Sequence, residues 1–154
     1  MVFCHVANMK TLRLILGDQL SHDISSLKDC NKTEDIILMC EVWNEATYVK
    51  HHKKKITFLF SAMRHFAKEL KESGYKILYT KLEDDQNIGF FKSEIARALK
   101  QQKVEHIVVT HPGEYRVLED IKGWATNLKI SVEIRTDDRF LCSADSQHLF
   151  CLAL

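Results

Sequence analysis

Short apolar runs and longer amphipathic stretches follow one another along this chain. Five of the runs are short and consist mainly of aliphatic or β-branched residues, as in strands that are buried on both faces of a sheet. Strands of this kind are typical of parallel sheets, whose crossover connections are usually helices. The runs predict strands at residues 12–16, 36–40, 76–79, 104–110 and 130–134.

The stretches between these strands carry apolar residues three and four positions apart, which predicts amphipathic helices. In the first stretch the apolar stripe runs from Ile56 to Leu70, and Gly74 follows as the expected glycine after the helix. Two further stripes occupy residues 91–99 and 117–128. Strands and helices in this alternating order predict a doubly wound, Rossmann-like α/β fold, in which a five-stranded parallel sheet carries helices on both faces.

Composition places the chain among ordinary globular proteins. A length of 154 residues predicts one domain, and a formal net charge of +1 gives no global basic field that would hold nucleic acid. No apolar run approaches the roughly 18 residues of a membrane span. The first residues have neither the basic start nor the apolar stretch of a secretion signal. We therefore expect a cytoplasmic protein that does not bind membranes.

The five cysteines, at positions 4, 30, 40, 142 and 151, include no Cys-x-x-Cys pair. Zinc ribbons and iron–sulfur sites need several thiolates at close, repeated spacing, so neither is predicted. Reduced thiols are the expected state in the cytoplasm. Cys40 lies within a predicted strand and is expected to be a small core residue.

Carboxylates gather at the ends of the first two predicted strands. Asp18 follows Gly17 after the first strand, and Glu41 and Glu45 follow the second. Ligands of open parallel sheets bind outside the carboxyl ends of the strands, so these loops are the candidate site. Such carboxylates can perform acid–base chemistry or accept hydrogen bonds from a polar heterocycle. Asp18 can equally serve to cap the turn after Gly17, and both interpretations remain open here.

A basic run, His51-His52-Lys53-Lys54-Lys55, leads directly into the first predicted helix. Cations at a helix N-terminus oppose the helix dipole, by roughly 0.3–1 kcal/mol each. The run therefore indicates either an anionic or polar ligand at that end, which we expect Lys55 to contact, or a lysine cluster that only faces solvent. The two histidines are adjacent, so their rings diverge and suit chelation of one metal poorly.

Other familiar motifs are absent or ambiguous. The segment that begins at Gly17 lacks the further glycines of a dinucleotide-binding loop, and the chain has no Walker A motif. Ser61 lies in a predicted helix without the setting of a hydrolase nucleophile. His111-Pro112-Gly113-Glu114 forms a turn before the third helix, where Glu114 could be a site wall or only a cap. No catalytic residue is predicted.

Several segments of the chain are specific in combination. The segments are Ile15-Leu16-Gly17-Asp18-Gln19-Leu20, Glu41-Val42, Glu45-Ala46, Tyr48-Val49, and residues 51–56, 60–67, 112–117 and 138–141. Together they resemble one family of flavoproteins over about residues 11–143. They are similar to the iron–sulfur bacterial cryptochromes and prokaryotic (6-4) photolyases, which belong to the cryptochrome/photolyase family.

The resemblance implies that residues 10–143 form the photolyase-related antenna domain, the light-harvesting part of a DNA repair photolyase. In that family the domain holds 6,7-dimethyl-8-ribityllumazine. Matching positions imply that the pocket is lined by Asp18, Cys40, Glu45, Tyr48 and Leu59, with Gly17, Glu41 and Lys55 nearby.

The resemblance also implies what this chain lacks. Family members continue into a helical domain that binds FAD, carries four cluster cysteines and contacts DNA. FAD and a 4Fe-4S cluster are therefore not expected to bind here, and repair by this chain alone is not expected. DNA contact would require the missing domain, and a chain that supplies this domain is one expected partner. Residues 1–9 are expected to be an N-terminal extension and residues 144–154 a truncated tail.

Two alternatives to the antenna domain remain open on the sequence. The first is a stand-alone α/β module that binds a small ligand or another protein. The second is a non-functional truncated product. A ligand module should copurify with an absorbing chromophore, whereas a truncated product should be empty and prone to aggregate.

Overall fold

The computed structural model describes residues 10–47 and 51–140. Its centre is one five-stranded sheet in which every neighbouring pair of strands is parallel. Numbered along the chain, the strands lie in the order 3-2-1-4-5, so the order reverses between the first and the fourth strand. The strands are β1 (Thr11–Leu14), β2 (Ile36–Cys40), β3 (Ile77–Thr80), β4 (His106–Thr110) and β5 (Ser131–Arg135).

Three helices of the described structure, the long one after β2 and those after β3 and β4, are the ones that the apolar stripes predicted. A short helix directly after β2 was not predicted, because this segment was expected to be a loop. Gly74 has a φ of +91° and comes directly after the residue that caps the long helix, as expected. Across the part of the chain that the structure describes, no helix combines the length and the apolar character needed to cross a membrane. The helices are α1 (Trp43–Thr47), α2 (Lys53–Glu72), α3 (Phe91–Gln102) and α4 (Tyr115–Leu128).

Two apolar clusters cover the two faces of the sheet. On one face, Ile37 packs in a cluster with Leu70 of α2. On the other face, Leu38 packs in a cluster with Ile95 of α3 and Trp124 of α4. All five side chains are fully buried. Since neighbouring residues of β2 point to opposite faces and each face carries helices, the predicted doubly wound α/β fold is confirmed.

The predicted boundaries of β2 match the observed ones, and those of the other four strands differ by one or two residues at one or both ends. The first strand was expected to reach Leu16, but β1 ends at Leu14, although Ile15 and Leu16 are buried. The fourth was expected to begin at Val104, which packs against the core before β4 starts. Apolar residues report burial, and buried or partly buried residues extend beyond the assigned strand at both places. The predicted extension at residues 1–9 and tail at residues 144–154 lie outside the described residues.

A buried arginine fixes the irregular connection between β1 and β2. Arg13 is 5% exposed, and its Nε donates to Asp35 Oδ2 at 2.8 Å. The rest of the guanidinium donates to the backbone carbonyls of Ser26, Lys28 and Asp29 at 2.8–3.0 Å. A buried charge is tolerated only when its hydrogen bonds are satisfied, and here they are. The connection that follows β1 is therefore held firmly against the sheet.

Candidate ligand-binding cavity at the carboxyl edge of the sheet

A cavity of about 260 Å³ lies at the carboxyl ends of the central strands. The residues after β1 form one wall, the first half of α2 a second, and the turn before α4 a third. This volume is close to the lower end of the range for small-molecule sites, roughly 300–1,000 Å³. Because strand order reverses between β1 and β4, the cavity lies where doubly wound folds bind their ligands.

The close approach of α2 to the loop after β1 depends on Gly17. A side-chain carbon at this position would lie 3.1 Å from Met63 Sδ and 3.5 Å from the Leu59 methyl groups. Both of those α2 residues line the cavity, and Gly17 does as well. A larger residue would have to push the helix side chains outward, so glycine sets the width of this wall.

Hydrogen bonds from the side chain of Gln19 hold the same loop in place. It is fully buried, and its Nε2 donates to the carbonyls of Thr110 and His111 at 3.1 and 3.2 Å. Its Oε1 accepts a longer bond of 3.4 Å from the backbone N–H of Leu16. The side chain thus ties the end of β1 to the end of β4 and fixes the backbone that carries Asp18.

Asp18 presents a carboxyl group to the cavity. Asp18 as a whole is exposed. The protein atoms around its carboxyl group nevertheless displace part of the surrounding water, and this desolvation raises the pKa of the carboxyl group. Its own backbone N–H and the Arg139 guanidinium lower the pKa, and the nearby charges of Asp137 and Glu114 raise it, with a net increase. A carboxyl group in this setting can accept hydrogen bonds from a ring N–H or hydroxyl, and it takes up a proton at a higher pH than usual.

Basic side chains lie on the α2 side of the cavity. Lys55 and His51 both line it, and Lys55 Nζ lies 3.4 Å from His51 Nδ1. Lys53 and Lys54 are exposed and are not among the residues that line it. The basic run therefore contributes one lysine and one histidine to the lining that also includes Asp18. The apolar residues of the lining are Leu16, Val42, Ile56, Leu59, Phe60, Met63, Phe91 and Val117.

The sequence left open whether Glu114 caps α4 or forms a wall of the site. It occupies the position that caps α4, but its side chain makes no capping hydrogen bond. Instead it lines the cavity together with Pro112 and Gly113. Its carboxylate accepts a hydrogen bond from Arg116 at 3.3 Å. The turn before α4 is therefore a wall of the cavity.

Cys40 also lines the cavity, as the last residue of β2. It is 3% exposed, and burial raises the pKa of its thiol strongly. A thiol in this state is neutral and unreactive, so it acts as a small apolar residue of the cavity wall.

Glu41 lies outside the residues that line the cavity, although it was predicted to be near the ligand. Its carboxylate is fully buried and accepts hydrogen bonds from Arg64, from Tyr79 and from the backbone of Leu82. Desolvation raises the pKa of Glu41, but these hydrogen bonds outweigh it and the net pKa is lowered. The carboxylate oxygens of Glu41 therefore accept hydrogen bonds within the fold and are not directed to a ligand in the cavity.

The predicted site residues thus separate into three groups. Glu41 lies outside the cavity lining, Glu45 lies in α1 with its side chain outside the described structure, and Tyr48 lies outside the described residues. The cavity contains the other five, whose role in binding stays a prediction: Gly17, Asp18, Cys40, Lys55 and Leu59.

Sequence reasoning missed other parts of the cavity for identifiable reasons. Met63 and Phe91 belong to helix stripes, which indicate a core and do not reveal that the stripe ends at a cavity. His51 belongs to the basic run, but Lys55 alone was expected to contact a ligand. Gln19 follows Asp18 in one of the segments that carry the family resemblance, but its contact with Thr110 spans 91 residues and leaves no local signal in the sequence.

Comparison with known proteins gives the same family as the sequence motifs. Residues 13–151 match the family model described as deoxyribodipyrimidine photo-lyase-related protein. The chain is also 51% identical over 135 residues to a protein named (6-4) photolyase from Agrobacterium fabrum (strain C58). That match covers 88% of this chain and 27% of the relative, so the chain spans just over a quarter of that protein's length. The chain belongs to the deoxyribodipyrimidine photo-lyase-related protein family.

Proposed function

We propose that this chain is the light-harvesting antenna domain of a photolyase-related protein and that its cavity binds 6,7-dimethyl-8-ribityllumazine. The observation that carries the proposal is the position and lining of the cavity. The loops after β1 and β4 meet at the point where strand order reverses, since a side-chain carbon at Gly113 would lie 3.5 Å from Asp18 Oδ2. Asp18 and Glu114 come from these two loops, and both line the cavity.

The chemistry of the lining fits a ribityllumazine. Such a molecule has ring carbonyls and ring nitrogens, an apolar dimethyl edge and a polyhydroxyl tail. Asp18 offers an acceptor for hydroxyl or N–H groups, and Lys55 offers donors for carbonyls. Leu59 and Phe60 supply apolar surface in the same cavity. A mostly apolar cavity with a few polar groups orients a flat heterocycle.

We infer no catalytic role for the chain on its own. It spans just over a quarter of the (6-4) photolyase that it matches. In this proposal, lesion repair, FAD, the 4Fe-4S cluster and DNA contact belong to the remaining length of such a protein. Within this proposal, the chain's task is to bind the chromophore and to hold it at a fixed place, in the cytoplasm.

We also propose that the remainder of a photolyase, in the same or a separate chain, covers an apolar patch near the cavity. Trp43, Ile88 and Phe90 are 58%, 70% and 53% exposed. They are neighbours, because a side-chain carbon at Gly89 would lie 3.2 Å from Trp43 Cβ. Phe91, the next residue, lines the cavity. Clustered exposed aromatic residues mark interaction surfaces.

The test is a binding titration of the purified chain with 6,7-dimethyl-8-ribityllumazine, followed by the absorbance and fluorescence anisotropy of the ligand. Leu59→Trp should fill the cavity and weaken binding at least about tenfold, at modest cost to folding. Phe58→Trp is the matched control, since Phe58 is the neighbouring residue on α2 and is 75% exposed. It should bind as the wild type does.

Two results would reject the antenna site. One is the absence of binding at high micromolar ligand, and the other is equal binding by the wild type and both variants. Riboflavin, titrated in parallel, tests the alternative of a general module for flavin-like ligands. Stronger binding of riboflavin than of lumazine would favour that alternative.

A further inference from the structure

The loop after β5 reaches across the edge of the sheet to the residue that presents its carboxyl group to the cavity. Arg139 donates from Nη1 to the backbone carbonyl of Asp18 at 2.6 Å. The two residues are 121 positions apart, so only the folded sheet brings them together. A guanidinium hydrogen bond to a carbonyl is charge-assisted and stronger than a neutral one.

Asp137 holds Arg139 in the orientation that this contact requires. Arg139 Nε donates to Asp137 Oδ1 at 2.9 Å, and Nη2 donates to Oδ2 at 2.6 Å, which makes a bidentate pair. The backbone N–H of Arg139 also donates to Oδ1 at 3.2 Å. The two side chains are 28% and 11% exposed. A bidentate pair fixes the plane of the guanidinium, so its remaining nitrogen points at one place.

Neither member of this pair lines the cavity, so any effect on a ligand passes through Asp18. The charged groups around the Asp18 carboxyl come from the loop after β5, from the turn before α4 and from the α2 side of the cavity. Arg139 and Asp137 face it from the loop after β5, and Glu114 from the turn before α4. His51 and Lys55 lie in the same cavity on the α2 side.

We propose that Asp137 and Arg139 are positioning residues that hold the backbone of Asp18 so that its carboxyl group meets the ligand. This inference rests on the proposed function, because the ligand it concerns is the lumazine. The pair has two separable effects. It fixes a backbone atom of Asp18, and it places a cation and an anion beside the carboxyl group.

Two substitutions separate these effects, since both break the pair but change the local charge in opposite directions. Arg139→Gln removes the cation and leaves Asp137 unpaired, so the pKa of Asp18 should rise. Asp137→Asn removes the anion and leaves Arg139 without its anchor, so the pKa of Asp18 should fall. If positioning controls affinity, both variants should bind the lumazine more weakly, by about tenfold for the loss of one charge-assisted hydrogen bond.

The experiment has a readout that needs no ligand. The carboxyl carbon of Asp18 is followed by NMR against pH in the wild type, Arg139→Gln and Asp137→Asn, and the lumazine is titrated into the same samples. Lys28→Gln is the matched control, because Lys28 pairs with Asp138 of the same loop and makes no contact with Asp18. It should leave both the titration of Asp18 and the affinity unchanged.

A higher pKa of Asp18 in Arg139→Gln and a lower one in Asp137→Asn would support the placement of the pair beside Asp18. This result would stand even if the wild type binds no lumazine, in which case only the proposed function fails. Coincident titration curves in all the proteins overturn the inference. Where the wild type binds lumazine, weaker binding by both variants supports a positioning role. Equal affinity, or affinities that move in opposite directions with the charge, overturns it.

Discussion

Arg64 of α2 clamps the carboxylate of Glu41 with two hydrogen bonds, from Nε to Oε1 at 2.6 Å and from Nη2 to Oε2 at 2.8 Å. Tyr79 of β3 and the backbone N–H of Leu82 donate to the same carboxylate at 2.6 and 2.9 Å. Glu41 follows β2 directly, so this network joins two strands to the helix that carries Leu59. The shape of the cavity therefore depends on a carboxylate that does not line it.

Glu41→Gln should destabilise the fold by about 2–4 kcal/mol, because an amide nitrogen would face donors and Arg64 would lose its counter-charge. Urea unfolding at neutral pH measures the change. Glu83→Gln is the control, since Glu83 also pairs with Arg64 but is 61% exposed. That variant should lose less than about 1 kcal/mol. Similar losses in the two variants would show that the burial of Glu41 does not matter.

The contribution of Glu41 should also depend on pH. Its pKa is lowered in the folded protein, because the hydrogen bonds from Arg64, Tyr79 and Leu82 outweigh its desolvation. The folded state therefore holds the proton less tightly than the unfolded state does. The stabilisation is present above the unfolded pKa, roughly 4.3, and is lost as pH falls through the folded value. The difference in unfolding free energy between wild type and Glu41→Gln should shrink from pH 7 to pH 3; a constant difference would contradict this.

Asp18 and Glu41 show how far the sequence predicts this site. Both are carboxylates at the end of a predicted strand, and both were expected near the ligand. The structure places Asp18 at the cavity and Glu41 in an internal network. The partners that decide the difference, Arg64 and Tyr79, lie 23 and 38 residues further along the chain. The sequence pattern around a strand end shows that a carboxylate lies at the edge of the sheet. It does not show which carboxylate forms hydrogen bonds with distant residues inside the fold.

The fold was more predictable than the site because apolar periodicity reports burial directly. The stripe that contains Leu70 and the run that contains Ile37 predicted that a helix covers the sheet, and the two residues share one cluster. Arg13 shows the limit, because its run was interpreted only as an apolar strand. The buried pair that it forms with Asp35 depends on a connection without periodic pattern.

Asp18→Asn should stabilise the fold slightly at neutral pH, by up to about 0.5 kcal/mol. The protein raises the pKa of Asp18 chiefly through desolvation, so the folded state holds this proton more tightly than the unfolded state does. Stability of the wild type then falls as pH rises from the ordinary aspartate value through the raised one. Thermal unfolding at pH 3 and pH 7 measures this difference. Asp18→Asn should be more stable than the wild type at pH 7 and equally stable at pH 3. A loss at pH 7 would show that the carboxylate supports the fold.

Substitutions in the lysine run should affect ligand affinity and the stability of the fold differently. Lys53, Lys54 and Lys55 all lie in the first turn of α2, where each cation opposes the helix dipole. Replacing any one of them with methionine should therefore leave stability unchanged or raise it by a few tenths of a kcal/mol, as urea unfolding would show.

Ligand affinity should distinguish the three variants, because only Lys55 lines the cavity. Lys55→Met should weaken lumazine binding by about three- to tenfold, the cost of one hydrogen bond from a charged donor at an exposed site. Lys53→Met and Lys54→Met are the matched controls and should bind as the wild type does. An equal, small loss in all three variants would mean that the run acts only through its summed charge. Unchanged affinity in Lys55→Met would mean that the run simply faces solvent, as the alternative interpretation of the sequence holds.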